Sequence, residues 1–312
     1  MRKILITGGA GNVGGALAKK LAEDQENFVV IVDNLITGSI HKLPKTKSDN
    51  WKFIKADVNS YQDISAIMLA YQFDYVFHYA ALVGVQRTLN NPVKVLEDIE
   101  GIKNILNLSK NTNVKRVFYS SSSEVYGEPV EFPQNEETTP LNSRLPYAIV
   151  KNLGEAFFKS YQKEYGLDFT IFRFFNTYGP DQSMDFVMAK FIRNALKNEP
   201  ITIYGDGSQT RTFCYISDNI ETTTKILYEN LLVNDIINIG NHHEVSVLEL
   251  AQKIIQLSGS KSEIIHLPPL TEGDMTRRKP DISKMLAVLG KQPMYIDTGI
   301  LKMIEHIKKE QE

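Results

Sequence analysis

An apolar run at Ile4-Leu5-Ile6 gives way to Gly8-Gly9-Ala10-Gly11-Asn12-Val13-Gly14, and a helical pattern through Leu17 and Leu21 follows at once. Strand, glycine turn, helix is the setting in which a glycine motif becomes a phosphate-binding loop. The glycines allow a tight turn and close backbone approach, and the helix N-terminus offers unpaired N–H groups to a pyrophosphate. Gly8, Gly11 and Gly14 have the G-x-x-G-x-x-G spacing. A second apolar run, Phe28 to Val32, ends at Asp33, nineteen residues past Gly14. That is close to the ~20 residues expected of a carboxylate that takes ribose hydroxyls. Such an acid repels a 2′-phosphate, and Asn34 to Ser39 hold no arginine to reverse the preference, so the pair of features predicts NAD rather than NADP.

The alternation continues down the chain. Trp51 to Ala56 reads as a strand ending at Asp57, Ser60 to Tyr71 as a helix, and Tyr75 to Tyr79 as a strand leading into Ala80-Ala81. Asn91-Pro92 reads as the N-cap and first residue of one helix running to about Asn111. Val114 to Tyr119 is the next strand, with Ser120 to Ser123 at its carboxyl end, and Phe169 to Phe175 a sixth. Alternating β and α units predict a Rossmann-type, doubly wound parallel sheet covered by helices on both faces, an α/β fold that binds ligands at the carboxyl ends of its strands. The serine run is read as hydroxyls offered to such a ligand. Beyond Pro180 the repeat loosens. Residues 1–175 are expected to form the dinucleotide-binding domain, with 212–245 returning to it. Residues 176–211 and 246–312 are expected to form a smaller mixed α/β lobe for the substrate. Its irregular stretch 268–280 holds Arg277 and Arg278, which suit phosphates.

A net charge of −2 across 312 residues gives no reason to expect nucleic acid or an anionic membrane as partner. No stretch approaches the ~20 apolar residues of a spanning helix, and the N-terminal apolar run is too short for a signal peptide. Cys214 is the single cysteine, so an internal disulfide is excluded and a cytoplasmic location is expected. The six histidines show no metal-ligand spacing, and His242 and His243 would point opposite ways on a strand, so no metal is expected.

Leu145-Pro146 opens a helix on which Tyr147 and Lys151 lie one turn apart on one face. A tyrosine loses its proton near pH ~10, and poising it near 7 takes a shift of ~3 units, about 4 kcal/mol. One lysine does not supply all of that, so a second positive charge, such as an oxidised nicotinamide, is implied. In a chain with fourteen tyrosines the pattern arises about once by chance, so its weight comes from its context. The apolar stripe behind it, Val150, Leu153, Phe157 and Tyr161, reads as core or subunit contact.

Assembled, these residues resemble the extended short-chain dehydrogenase/reductases that act on nucleotide sugars. The resemblance is carried by Thr7 to Gly11, Asp33-Asn34-Leu35, His78-Tyr79-Ala80-Ala81, Ser122 to Gly127, Tyr147 with Lys151, and Phe174 to Pro180. Gly205 to Arg211 and Arg278-Lys279-Pro280-Asp281 extend it to the second lobe. It implies Tyr147 as base, Lys151 as its partner and ribose ligand, and Ser122 as the hydroxyl sharing the substrate proton. Cofactor contacts are implied at Gly8, Gly11, Asn12, Val13, Gly14, Asp33, Asn34, Asp57, Val58, Tyr79, Ala80 and Ala81. A nucleotide-diphosphate sugar would be held by Asn176, Arg211 and Arg278, with Val187, Lys190 and Tyr204 shaping its pocket. A homodimer through the helices at 92–111 and 145–165 is also implied.

Members that dehydrate the sugar carry Asp-Glu before Val-Tyr-Gly; here Ser123-Glu124 stands instead, against dehydration. The Ser-Glu form with Arg278-Lys279-Pro280-Asp281 is similar to UDP-glucuronate decarboxylases. Those continue Gly-Pro with Arg-Met, whereas this chain has Asp181-Gln182-Ser183, against a carboxylate-bearing substrate. Asp98 stands where the family usually has Asn, and Asn12-Val13 replaces Phe-Ile. The expected activity is oxidation of the sugar C4 hydroxyl, as a 4-dehydrogenase or 4-epimerase, with residues 123, 124 and 181 setting the later chemistry. Decarboxylation is the alternative, and a non-catalytic dinucleotide-sensing subunit the alternative of another class.

Overall fold

The computed structural model describes residues 1–46, 48–128, 130–269 and 277–309, with Val85 described by its backbone alone. Within the irregular stretch read at 268–280, residues 270–276 therefore lie outside the described residues. Two compact units emerge. One comprises Met1–Val125, Ser143–Phe174 and Ile220–Ile237; the other comprises Tyr126–Asn142, Phe175–Asn219 and Asn238–Glu312.

The first unit begins with β1 (Arg2–Thr7), α1 (Asn12–Ala22), β2 (Asn27–Asp33), β3 (Trp51–Lys55), α2 (Tyr61–Tyr71) and β4 (Tyr75–His78). It continues with α3 (Val85–Asn90), α4 (Pro92–Leu96), α5 (Asp98–Asn111), β5 (Arg116–Ser122), α6 (Pro146–Tyr165) and β6 (Asp168–Phe174). The ladders β3–β2, β2–β1, β1–β4, β4–β5 and β5–β6 are all parallel. Such strands are covered on both faces and so read as continuous apolar runs, as Ile4-Leu5-Ile6 and Val29 to Val32 do. The order reverses between β1 and β4, which places a topological switch point beside the glycine turn. Leu5, Val30, Val76 and Val117 of the sheet bury against Ile64, Ile102, Ile105 and Phe158 of the helices.

Three local expectations are corrected. The helix read from Asn91 to Asn111 is two, α4 and α5, broken at Glu97 and preceded by α3. Asn91 stands at the N-cap of α4 with Pro92 first in the helix, but its side chain makes no capping hydrogen bond, its amide donating back to the Arg87 carbonyl, 3.0 Å away. The serine run is not beyond β5 but largely in it, since the strand extends to Ser122.

The second unit holds β7 (Thr177–Tyr178), α7 (Val187–Leu196), β8 (Ile201–Tyr204), β9 (Thr210–Thr212) and β10 (Cys214–Tyr215). Then come α8 (Ile216–Tyr228), which leads back into the first unit, and β11 (Asp235–Ile239), the last strand of the seven-stranded sheet beside β6. The second unit resumes with β12 (Glu244–Ser246), α9 (Val247–Ser258), β13 (Ile264–Leu267), α10 (Ser283–Leu289) and α11 (Ile296–Lys309). Three two-stranded ladders, β7–β10, β9–β12 and β8–β13, replace the long sheet. Phe191, Ile192, Leu250, Ile254, Met303 and Ile307 pack α7, α9 and α11 together as its core. Ser246 and Glu249 form a reciprocal capping box that fixes the start of α9. His242 and His243 precede β12 on a bend, and their rings lie 4.1 Å apart instead of pointing opposite ways. Among the described residues, no helix is long and apolar enough to cross a membrane.

Candidate active site

At the end of β1 the chain turns at Gly8, whose φ of +68° is open to glycine at little cost. A Cβ there would lie 2.6 Å from the Ala80 backbone nitrogen, and one on Gly14 2.3 Å from the Gly8 carbonyl oxygen. The loop thus lies flat against the end of β4, and α1 starts close over it. Gly11, the N-cap of α1, supplies no side-chain cap, and the first turn carries no acid. Asn12 and Val13 therefore present a helix N-terminus with no internal anion, and the buried Oδ1 of Asn12 has no hydrogen-bond partner. Asp33, buried at the end of β2, ties this loop to the next: its carboxylate accepts Ala10 N at 3.0 Å and Leu35 N at 2.8 Å. Beside it Asn34 donates to Asp57 at 3.2 Å, and Val58 is buried. A glycine turn, a free helix N-terminus and a strand-end acid fit the pyrophosphate and ribose of a dinucleotide. At the switch point itself, Thr7 Oγ1 and His78 Nδ1 are hydrogen-bonded at 2.9 Å. Burial, reinforced by Lys151, pushes His78 down to about 3, so it is neutral at physiological pH. Tyr79 and Ala81 follow, half-buried, with Ala80 N donating to Thr7 Oγ1 at 3.3 Å.

On β5, alternation puts Ser120 and Ser122 on one side and Ser121 on the other. Ser122 Oγ accepts Glu124 N at 3.2 Å, and so shapes the tight turn that holds buried Ser123 and half-buried Glu124. Ser121 donates to Glu155 Oε1 at 2.6 Å, and Glu155 in turn is gripped by Arg173 of β6 at 2.9 and 2.7 Å, all three buried. This fork locks α6 to β5 and β6.

One turn before Glu155 comes Lys151, 3% exposed, whose ammonium donates to the Ser120 carbonyl at 2.6 Å and lies 3.4 Å from Ser120 Oγ. The ammonium is 5.8 Å from the ring centre of half-buried Tyr147 and 5.0 Å from that of Tyr119. Burial lowers Lys151 to about 8, and the field of Asp98 on α5 opposes part of that fall. The structure thus joins Tyr147, Lys151 and the serine strand at the carboxyl edge of the sheet. Of the α6 stripe, Val150 is core, Phe157 and Tyr161 pack on the core, and Leu153 is exposed.

In the second unit Asn176, at a φ of +40°, donates to the Thr212 carbonyl at 2.9 Å. Arg211 sits on β9, and an isolated bridge between Thr210 and Arg277 brings buried Arg278 alongside. Val187 opens α7, Lys190 reaches Thr202 Oγ1 of β8 at 3.3 Å, and Tyr204 ends β8 half-buried. Arg277 does not match its phosphate reading. It is clamped on Glu244 at 2.6 and 2.8 Å, with its guanidinium 4.4 Å from the Phe132 ring centre, and Glu244 is held down to about 2. Two features escaped notice in the sequence. The signal for the Glu155–Arg173 fork was a charge inside the apolar strand Phe169 to Phe175, four residues after the Lys151 position for its partner. Asp98 was visible only as a departure.

The family model described as Epimerase, the NAD dependent epimerase/dehydratase family, matches residues 4–240. UDP-glucuronic acid decarboxylase 1 of Xenopus tropicalis is 36% identical over 320 residues, covering 100% of this chain and 73% of that protein. UDP-N-acetyl-alpha-D-glucosaminuronate decarboxylase of Bacillus cytotoxicus is 38% identical over 301 residues, 91% of this chain and 90% of that one. The UDP-glucose 4-epimerase of Thermotoga maritima, solved with UDP-glucose, superposes with a TM-score of 0.93 at 30% identity, covering 99% of this chain and 100% of that one. The chain belongs to the NAD dependent epimerase/dehydratase family, as an enzyme whose cofactor is NAD and whose dinucleotide fold is the one described above.

Proposed function

We propose that this enzyme oxidises the C4 hydroxyl of a nucleotide-diphosphate sugar to a 4-keto sugar, acting as a 4-epimerase or 4-dehydrogenase. The observation that carries the reading is the dehydrated Lys151 ammonium seated on the Ser120 carbonyl, 5.8 Å from the ring of Tyr147. A fixed cation at that distance favours the phenolate. In this reading Tyr147 takes the proton of the 4-hydroxyl while Ser122 holds the same oxygen by a hydrogen bond. NAD supplies the hydride acceptor when bound. Asn176, Arg211 and Arg278 hold the diphosphate and nucleoside, and Val187, Lys190 and Tyr204 shape the pocket for base and sugar. In an epimerase the keto sugar turns over and is reduced on its other face; a dehydrogenase releases it and needs an external acceptor to restore the cofactor. The Thermotoga maritima neighbour supports the epimerase form. The active unit is proposed to be a cytoplasmic homodimer.

Decarboxylation of a sugar 6-carboxylate is the second reading. It is supported by Glu124 after Ser123 and by the decarboxylase names of the sequence relatives. Both readings share the C4 oxidation. A non-catalytic binding subunit is disfavoured by Ser122, Tyr147 and Lys151 together, because a pure binding module has no use for a poised phenolate.

The test is to incubate the protein, with its co-purified cofactor, with UDP-, GDP- and CDP-sugars, including the 6-carboxylates, and to follow reduced nicotinamide and product mass. An isomer of unchanged mass identifies an epimerase, loss of two hydrogens a dehydrogenase, and loss of carbon dioxide a decarboxylase. Tyr147→Phe should lower turnover at least ~100-fold, the lower range for a general base, while NAD stays bound. Undiminished turnover in that variant, or silence of the parent across the panel, would sink the assignment.

A further inference from the structure

Residues 277–282 of the second unit belong to no helix and no strand, yet Arg278 among them is buried. Isolated bridges hold the segment on either side of that arginine. One pairs Arg277 with Thr210, and the other pairs Pro280 with Gln134. In the second, Gln134 N donates to the Lys279 carbonyl at 2.7 Å and Asp281 N to the Gln134 carbonyl at 2.8 Å. The Gln134 side chain adds a third bond, its Oε1 accepting Lys279 N at 3.2 Å. A bridge this short has no neighbouring ladder to keep its register, so an outside clamp is needed.

Asn238, on β11 and fully buried, supplies that clamp within the same unit. Its Nδ2 donates to the Gln134 carbonyl at 2.9 Å and to the Asp281 carbonyl at 3.2 Å. An amide nitrogen has two hydrogens, and here one goes to each side of the bridge. Both acceptors are carbonyls, which cannot donate, so the orientation of the amide is fixed. Its Oδ1 accepts the Tyr126 hydroxyl at 2.8 Å, and its backbone N–H donates to Glu136 Oε1 at 2.7 Å. We propose that Asn238 is a positioning residue for the substrate nucleotide: by locking Gln134 to Asp281 it fixes the backbone that presents Arg278 to the diphosphate. This role rests on the reading of Arg278 as a nucleotide ligand.

All partners of Asn238 are protein groups, so its loss should weaken binding and spare the chemistry. Calorimetric titration with UDP compares the parent with Asn238→Ala, Tyr126→Phe and Arg278→Ala. In Asn238→Ala the UDP affinity should fall about tenfold, the worth of a hydrogen bond to a charged group. KM for the sugar nucleotide that the parent turns over should rise to match, with kcat held within about twofold. Tyr126→Phe removes the bond on the other side of the amide and leaves both Nδ2 donors, so it should bind UDP as the parent does. Gln134→Ala is a second, milder variant. It removes the acceptor of Lys279 N together with a buried Nε2 that has no hydrogen-bond partner, and it should weaken UDP in the same direction.

Hydrogen exchange gives a readout without ligand: the amides of Lys279 and Asp281 should exchange about tenfold faster in Asn238→Ala than in the parent. Unchanged protection of those amides would overturn the role. So would parent-like UDP affinity in Asn238→Ala while Arg278→Ala loses it, or an equal loss in Tyr126→Phe, which would mean general loosening. Undiminished UDP binding in Arg278→Ala, or a parent that binds none of UDP, GDP and CDP, would instead fail the nucleotide reading beneath the role and take the role with it.

Discussion

Lys151 is the residue the fold holds at a loss. Its fall from 10.5 to about 8 by burial corresponds to a penalty on the order of 3 kcal/mol. Below about pH 8 the folded and unfolded chains both carry the proton, and the whole penalty applies. Between about 8 and 10.5 the unfolded chain keeps a proton that the folded chain has lost, so this contribution to stability rises with pH through that window. Lys151→Met should therefore be more stable than the parent near pH 7, by up to about 3 kcal/mol less whatever Asp98 loses with its counter-charge. The gap should close as pH rises toward 10.5, while C4 oxidation is lost. Urea unfolding at several pH values measures it, and a gap that is absent or constant with pH would refute the penalty assigned to Lys151.

Helix α6 shows why the placement is so tight. Gly154 stands mid-helix, where glycine costs about 1 kcal/mol relative to alanine. A Cβ there would lie 2.3 Å from the Tyr119 hydroxyl, and Tyr119 cannot retreat because Phe158 stacks on its ring at 4.7 Å. The glycine lets α6 settle over β5 closely enough for Lys151 to reach the Ser120 carbonyl and for Glu155 to meet Ser121 and Arg173. Gly154→Ala should thus destabilise by about 1–3 kcal/mol through overpacking, against the sign that helix propensity alone predicts. A thermal or urea midpoint at or above that of the parent would show that α6 has slack. The period of α6 and the strand–glycine–helix start were legible in the sequence because local spacing determines them. The break at Glu97 was not, since Asn91-Pro92 is a sound helix start and the chain reaches it already helical from α3. Nor was the setting of Asp98 legible: Leu82 and Asn59, which donate to its carboxylate, meet it only through tertiary packing. The same holds for Arg277, whose phosphate reading gave way to Glu244, thirty-three residues earlier.

For the whole molecule, the first unit offers its own evidence on assembly. Helices α4 and α6 pack on each other, and both turn apolar side chains outward: Val93, 71% exposed, and Leu96 on α4, Ile149 and Leu153 on α6. Single exposed apolar residues are ordinary, but four on two adjoining helices make a patch of the kind that marks an interface. A two-fold axis through such a patch sets it against its own copy and buries both at once. The same α6 carries Tyr147 and Lys151 on the side toward the sheet, so the proposed dimer would brace the helix that holds the reacting groups. Sedimentation of the purified protein at micromolar concentration should give the mass of two chains, and Val93→Glu with Leu153→Glu should give the mass of one. The charged variant should keep its fold, because neither side chain belongs to the buried core. A parent protein that sediments as a single chain would remove the dimer from this reading and leave the chemistry of Tyr147 and Lys151 to stand on one subunit.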